Sequence, residues 1–445
     1  MDLNQNEGLN RAMGATDVAV NTFNNVVGAG IFLLPALVAV SIGDAAILAY
    51  VVCGIMVYVV MLCFAEVSSR VTTTGGAYAY VEKAFGPFAG FITNSLYWFG
   101  LGIIADAAVA NGMADILGTF IPSFAIPIYR GIFFFLFFGG LAFLNVRGVK
   151  QGMYAVWTGT LLKILPLILL IAVGLSGVTM RNLYWHKWPS VHNLGEASLI
   201  LFFAFMGADV GLIGSGEMKN PKRTAPLGML WGLSLVVIFY VLIQCVAQGV
   251  LGADLKNHVD APLATVAKVI IGPWGATLLS VGAIVSIISS LCTSPVLISR
   301  LIFAASNDRL LPGFLARIHP RFATPHYAII VYCCLDFVFS ISGGFKDLVI
   351  LTSAATLLIY LGVVSATIKL KLAKNAETEG IFKLPFGITI PIIAIGIIIW
   401  LLAHLSKREI IALTIFAAIA ASIYLASMLI QKKVTEGKVA PEKMS

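Results

Sequence analysis

Apolar residues fall in blocks of about twenty, the number an α-helix needs to carry its backbone across the hydrocarbon core of a bilayer. Twelve blocks can be traced, at about 17–40, 45–66, 87–113, 126–145, 152–176, 197–215, 227–251, 269–305, 326–342, 348–369, 384–404 and 409–430. The pattern predicts an all-α membrane protein with twelve transmembrane helices. The eighth block is too long for one crossing and is expected to continue beyond the membrane. Between the second and third blocks the chain turns polar and then glycine-rich from Thr72 to Pro87, which reads as a short connecting helix beneath the bundle. No loop is long enough for a second folded domain, so residues 1–445 are read as one transmembrane domain.

Two blocks are interrupted. The first carries Asn24-Asn25-Val26-Val27-Gly28-Ala29-Gly30-Ile31-Phe32-Leu33-Leu34-Pro35, with two glycines near its middle. A helix in lipid satisfies its own backbone, and opening it strands polar groups at several kcal/mol each unless they face protein, water or a ligand. Gly28 and Gly30, lacking Cβ atoms, let the backbone unwind and approach a ligand, leaving N–H groups of the outer half-helix aimed at an anion such as a carboxylate. A close helix-packing seam of small residues is the plainer alternative. Asn25 adds a carboxamide at the same depth, for a ligand or for a helix–helix hydrogen bond. The sixth block repeats the device after about 180 residues, as Phe203-Ala204-Phe205-Met206-Gly207-Ala208-Asp209. Paired interruptions at matching places in two halves point to a midplane binding site in an inverted-repeat transporter. Asp209 is expected to bind an ammonium group, carry a proton or hold the broken helix in shape. In a regular helix Phe205 and Asp209, four apart, share a face, whereas Phe203 points elsewhere as a candidate lid.

Composition changes little in this picture but excludes much. The chain is 59% hydrophobic and 11% charged, against about 25% charged in soluble domains. The net charge of +8 reflects topology rather than affinity for nucleic acid. With the N-terminus in the cytoplasm, 20 of the 29 Lys and Arg residues fall on the inner side and 8 on the outer, leaving Lys163 inside a span. This satisfies the positive-inside rule with both termini cytoplasmic, and the polar stretch from Met1 to Arg11 does not read as a cleavable signal peptide. All six cysteines lie in predicted spans without metal-ligand spacing, so neither a disulfide framework nor a metal site is expected. The six histidines sit in loops or at span ends, which argues against an enzyme, and no cofactor is implied. Scattered midspan polar groups fit an occluded site better than a continuous pore.

Lys163 lies 11 residues into the fifth block, about 17 Å of helical rise from Gly152 and near the midplane. Such an amine must meet carbonyls, a carboxylate or water. If it exchanges its proton it is a coupling element; if it stays charged it braces two helices where other transporters hold a metal cation. In the eighth block Ser286, Ser289, Ser290, Thr293 and Ser294 cluster, with Ser289 and Ser290 the candidates to meet that amine. The third block carries Tyr97, a candidate gate, and Asp106, a candidate for proton or substrate contact; in a regular helix they face opposite ways. Thr352, Ser353, Thr356 and Tyr360 give the tenth block a weakly polar stripe.

Gly28-Ala29-Gly30-Ile31-Phe32-Leu33-Leu34-Pro35, Gly75-Gly76-Ala77-Tyr78, Phe85-Gly86-Pro87, the segment from Phe203 to Asp209, Lys219-Asn220-Pro221-Lys222-Arg223 and Asn307-Asp308-Arg309-Leu310-Leu311-Pro312 resemble, in order and over nearly the whole chain, the amino acid–polyamine–organocation superfamily. The resemblance implies a five-plus-five inverted repeat, about 14–177 and 195–370, with two extra helices at about 384–430. It implies alternating access between the first and sixth helices. The backbone from Val27 to Gly30 would receive a substrate carboxylate, and carbonyls from Phe203 through Ala204 and Phe205 to Met206 its amino group. Asn25, Phe203 and Asp209 fall where the arginine/agmatine antiporters have an asparagine, a gating tryptophan and a glutamate. Their eighth-helix tryptophan is Ser294 here and a third-helix asparagine is Ala105, departures that weigh against a stacking platform for a guanidinium. Lys163 matches the fifth-helix lysine of sodium-independent permeases and exchangers. The expected function is therefore a sodium-independent amino acid transporter of the cytoplasmic membrane, a proton symporter or exchanger. The alternative is an antiporter of cationic amino acids or polyamines.

Overall fold

A computed structural model of the protein describes residues 13–71, 76–148, 153–185, 187–212, 218–373 and 382–438, with side chains outside 153–159 and 430–438. The start of the connecting segment (72–75), Gly152 and the end of the sixth block (213–217) lie outside the described residues. Among those described, every extended element is a helix. In chain order they are α1 (Ala15–Val26), α2 (Gly30–Ile42), α3 (Ala46–Arg70), α4 (Ala77–Phe85), α5 (Pro87–Leu96), α6 (Ala105–Gly118), α7 (Pro127–Val146) and α8 (Met153–Gly174). There follow α9 (Val191–Phe202), α10 (Pro221–Leu251), α11 (Pro262–Ile271), α12 (Pro273–Asn307), α13 (His326–Ser342), α14 (Phe345–Leu372), α15 (Thr389–Leu402) and α16 (Lys407–Lys438). Among the described residues nine helical stretches are long and apolar enough to cross a membrane, and α11, α13 and α15 are shorter apolar helices.

Local chemistry explains most boundaries. Proline, whose missing N–H costs nothing in a first helical turn, opens α5, α7, α10, α11 and α12. The Asp17 carboxylate accepts the Gly14 amide at 2.8 Å to start α1, and Ser190 Oγ accepts the Asn193 amide at 3.1 Å to start α9. The long eighth block is almost wholly one helix: Gly272, at φ +89°, ends α11, and Pro273 starts α12, whose 35 residues span about 52 Å, more than one crossing needs. The predicted connecting helix is α4.

The centre is α1 laid along α10. Methyl groups added at Gly228 and Gly232 would stand 2.7 Å and 2.6 Å from the carbonyl oxygens of Ala15 and Ala19. Only hydrogen at these positions allows the backbones to approach so closely, the packing that replaces the hydrophobic effect between helices in lipid. α7 and α16 lie at the periphery, with Phe135, Leu136, Ile415 and Leu425 more than half exposed as an apolar surface. On the basic face of the bundle Glu66 of α3 is fully buried. It accepts from Arg70 at 2.6 Å and from Lys371 of α14 at 2.9 Å.

One segment departs from regular helix. Between α5 and α6, Tyr97–Ile104 is a π-helix, which turns less per residue than an α-helix. Tyr97 and Asp106 are therefore not held on opposite faces by regular helical periodicity. The two residues nonetheless end in separate clusters, because the π-helix is wedged between neighbours: Gly100 faces Ala355 of α14, and Gly102 faces Ile298 of α12 and Tyr332 of α13.

Candidate functional site

Both interruptions are real breaks, and they meet. α1 ends where the Val27 amide donates to Phe23 O at 2.9 Å; Gly28 and Ala29 form a turn, and α2 opens at Gly30. The first amides of a helix have no acceptor within it, so Ala29, Gly30 and Ile31 present N–H groups at the positive end of α2, while the Gly28 amide turns to the Tyr240 hydroxyl. In the sixth block α9 ends at Phe202, Phe203–Phe205 make a 3-10 turn, Met206 is extended, and Gly207 sits at φ +93°, where a side chain is strained. Phe205 and Asp209 therefore do not share a helix face, contrary to the spacing argument. Phe205 packs its ring 5.2 Å from that of Tyr240, whereas Asp209 turns to Tyr360.

The breaks touch through their small residues. A methyl group on Gly30 would lie 3.1 Å from Ala204 Cα, and one on Gly207 3.5 Å from Asn25 O. Tyr240 of α10, fully buried, places its hydroxyl 2.8 Å from Val26 O and 3.1 Å from Ala204 O, so one proton is shared between carbonyls left free by both breaks. Sequence reasoning missed this residue; the only signal was a phenol in the middle of an apolar block.

Lys163 Nζ donates to Asn24 O at 2.6 Å, at the C-terminal end of α1 where a positive charge complements the helix dipole. Of its expected partners, Ser290 turns elsewhere: Ser290 Oγ bonds back to Ser286 O at 3.2 Å, because a hydroxyl in a helix finds the preceding turn's carbonyl first.

Asp209 is buried and accepts from Tyr360 of α14 at 2.8 Å, which gives the polar stripe of the tenth block its partner. The Tyr97 hydroxyl is buried beside the same carboxylate. Phe203 is half-buried, its ring 6.3 Å from Phe345 and edge-on. Asp106 and Ser294 come together elsewhere: Asp106 Oδ1 accepts from Ser294 at 3.1 Å and Oδ2 from Tyr332 of α13 at 2.8 Å. The structure thus gathers Asn25, Val27, Gly28, Ala29, Gly30, Ala204, Met206 and Lys163 about the two breaks. It sets Asp106 and Ser294 in a second cluster.

The two helices that flank the first break differ in exposure. From Gly30 to Ala36 every residue of α2 is buried, whereas Thr16, Asp17, Val20, Asn21 and Asn25 leave one face of α1 exposed. An exposed stripe carrying Asn21 and Asn25 suits water rather than hydrocarbon.

A family model described as amino acid permease matches residues 14–432. The chain is 27% identical to the methylthioribose transporter of Bacillus subtilis (strain 168), over 94% of each chain. It is 26% identical to that organism's branched-chain amino acid permease BcaP, over 94% of this chain and 93% of the relative. To its serine/threonine exchanger SteT it is 30% identical, over 73% of this chain and 75% of the relative. These relatives are transporters, not enzymes. With two broken helices that meet and a family model matched over residues 14–432, the chain belongs to the amino acid permease family, multi-pass membrane transporters of the amino acid–polyamine–organocation superfamily.

Proposed function

We propose that the protein is a sodium-independent amino acid transporter of the cytoplasmic membrane, working by alternating access as a proton symporter or an exchanger. The chain crosses twelve times with both termini cytoplasmic, as a single domain: two inverted repeats, about 14–177 and 195–370, and two further helices at about 384–430. The observation that carries this reading is the meeting of the two breaks under Tyr240, with an amine rather than a metal ion at the end of α1.

In this reading the backbone from Val27 to Gly30 receives the substrate carboxylate, through the amides of Ala29 and Gly30, since that of Val27 is closed onto Phe23 O, and carbonyls between Phe203 and Met206, with Asn25, receive the substrate's amino group. Phe203 and Tyr97 gate the site. Asp209, fixed by Tyr360, holds the unwound segment in shape. Lys163 supplies at Asn24 O the positive charge that a bound cation supplies elsewhere, which is why no sodium is needed. The exposed face of α1 makes the site accessible from the basic, cytoplasmic side. Two relatives are named for branched-chain amino acids and for serine and threonine, so small neutral amino acids are the first candidates. A third is named for methylthioribose, which belongs in the same panel.

Uptake of the labelled panel into proteoliposomes tests the reading, first with a pH gradient and empty vesicles, then with no gradient and unlabelled substrate inside. Sodium-independent uptake in either arm is expected. Gradient-driven accumulation that disappears in Lys163→Ala identifies symport, and uptake that requires internal substrate identifies exchange. Uptake only with sodium refutes it. The second reading, an antiporter of cationic amino acids or polyamines, draws on Asp106, buried where the eighth helix contributes Ser294. Unchanged cationic-substrate binding in Asp106→Asn and Asp209→Asn removes it.

A further inference from the structure

The cluster around Asp106 holds a second carboxylate that the substrate site does not use. Asp336 of α13 is fully buried, and both its carboxyl oxygens lack a hydrogen-bond partner. It lies one turn beyond Tyr332, whose hydroxyl donates to Asp106, and within electrostatic reach of that acid. Two carboxylates in one dry pocket cannot both be ionised, and an unpaired carboxylate among apolar groups is far costlier than a neutral acid. No other buried acid among the described residues is left with both oxygens unpartnered: Glu66 has two cations, Asp106 two hydroxyls and Asp209 a tyrosine.

A polar file leads away from the pair along the seam of α6 and α13, which run parallel. One turn beyond Asp336 comes the buried Ser340, its hydroxyl also unpartnered, while Asn111 of α6 donates to Ser340 O at 2.9 Å. Arg130 of α7 then donates to Asn111 and pairs with Asp115 at 2.8 Å, both ends of that ion pair about a quarter exposed. The file ends on the face opposite the basic one. At its inner end Asp106 binds Ser294 of α12.

We propose that Asp106 and Asp336 form a proton-carrying pair, separate from Lys163, that loads from the outer face through Asn111, Ser340 and the Asp115–Arg130 mouth. This rests on the transporter reading. Loading forms one O–H bond on a carboxylate oxygen of the pair and returns the donor hydronium to water; release on the cytoplasmic side reverses it. The charged and titratable groups facing the pair and its file are Asp115 on α6, Arg130 on α7, and Tyr332, Cys333 and Cys334 on α13. Asp260 lies near Asp115 at the mouth, α12 presents the Ser294 hydroxyl, and Lys346 and Asp347 at the start of α14 are exposed.

The test combines infrared difference spectroscopy of the purified full chain in lipid, between acid and alkaline pH, with proteoliposome transport. The wild-type protein should show a protonated-carboxyl C=O band that Asp336→Asn loses and Asp336→Glu restores in shifted form. In vesicles Asp336→Asn should lose gradient-driven accumulation while exchange between labelled and unlabelled substrate continues, which also shows that the variant folds. A band unchanged in Asp336→Asn, accumulation equal to wild type, or a band abolished by sodium rather than by alkali each overturns the proposal. So does wild-type uptake that moves no protons. Absence of any uptake by the wild-type protein refutes the transporter reading instead, and the infrared result still decides whether the pair holds a proton.

Discussion

Replacing Tyr240 with phenylalanine removes one oxygen and keeps the ring, including its packing 5.2 Å from Phe205. The hydroxyl lies 2.8 Å from Val26 O and 3.1 Å from Ala204 O, so its loss strips a shared donor from a carbonyl at each break. Hydrogen bonds between helices in membrane proteins average about 0.6 kcal/mol and reach about 1.7, whereas leaving a buried acceptor unpaired costs about 1–3 kcal/mol. Tyr240 is fully buried and both acceptors are carbonyls left free where a helix breaks, so the upper part of the first range applies, about 1–2 kcal/mol. Because the breaks also form the substrate site, that energy is lost from the binding-competent geometry, a factor of about 5–30 in affinity. The assay is binding of the panel member that wild type exchanges fastest, by scintillation proximity on purified protein, with a thermal melt alongside. Weakened binding with a modest change in melting temperature is expected. Affinity within twofold of wild type would refute the claim that the two breaks are coupled through this hydroxyl.

Gly207→Ala meets the Asn25 carbonyl only at an ordinary 3.5 Å but forces a side chain to φ +93°, a strain of about 1–3 kcal/mol; it should lower exchange more than stability, measured as initial rate and melting temperature. Gly232→Ala sets its methyl 2.6 Å from Ala19 O and must push α1 from α10, so it should destabilise by about 1–3 kcal/mol in a detergent melt. Glu66→Ala leaves Arg70 and Lys371 without their buried acceptor, a loss of about 3–5 kcal/mol, and Lys371→Ala in the same background should recover part of it.

Some of this was legible in the chain alone because it depends on short-range patterning. Apolar block length set the helices, glycines in two blocks marked the breaks, and proline set five helix starts. Lys163 stood out because an amine in an apolar block needs a partner, yet its partner was not readable. Asn24 lies 139 residues away, and a carbonyl leaves no mark on the residue that carries it. Ser290 of α12 misled for a related reason, since a hydroxyl near its own helix's carbonyl is satisfied before it reaches across. The Phe205–Asp209 argument failed because periodicity assumes a helix, and the same glycine that marked the break removed it.

Tertiary structure alone decided which polar groups share a pocket. Tyr240 bridges both breaks from a third helix; Tyr360 reaches Asp209 across 151 residues, and Tyr332 reaches Asp106 across 226. Asp336 is four residues from Tyr332 on one helix face, but its lack of a partner depends on what α6, α7 and α12 bring against it. Sequence patterning settles which faces of a helix avoid water, a property of each residue and its near neighbours. Which buried polar groups find partners depends on how helices are packed, and that is fixed only when the whole bundle closes.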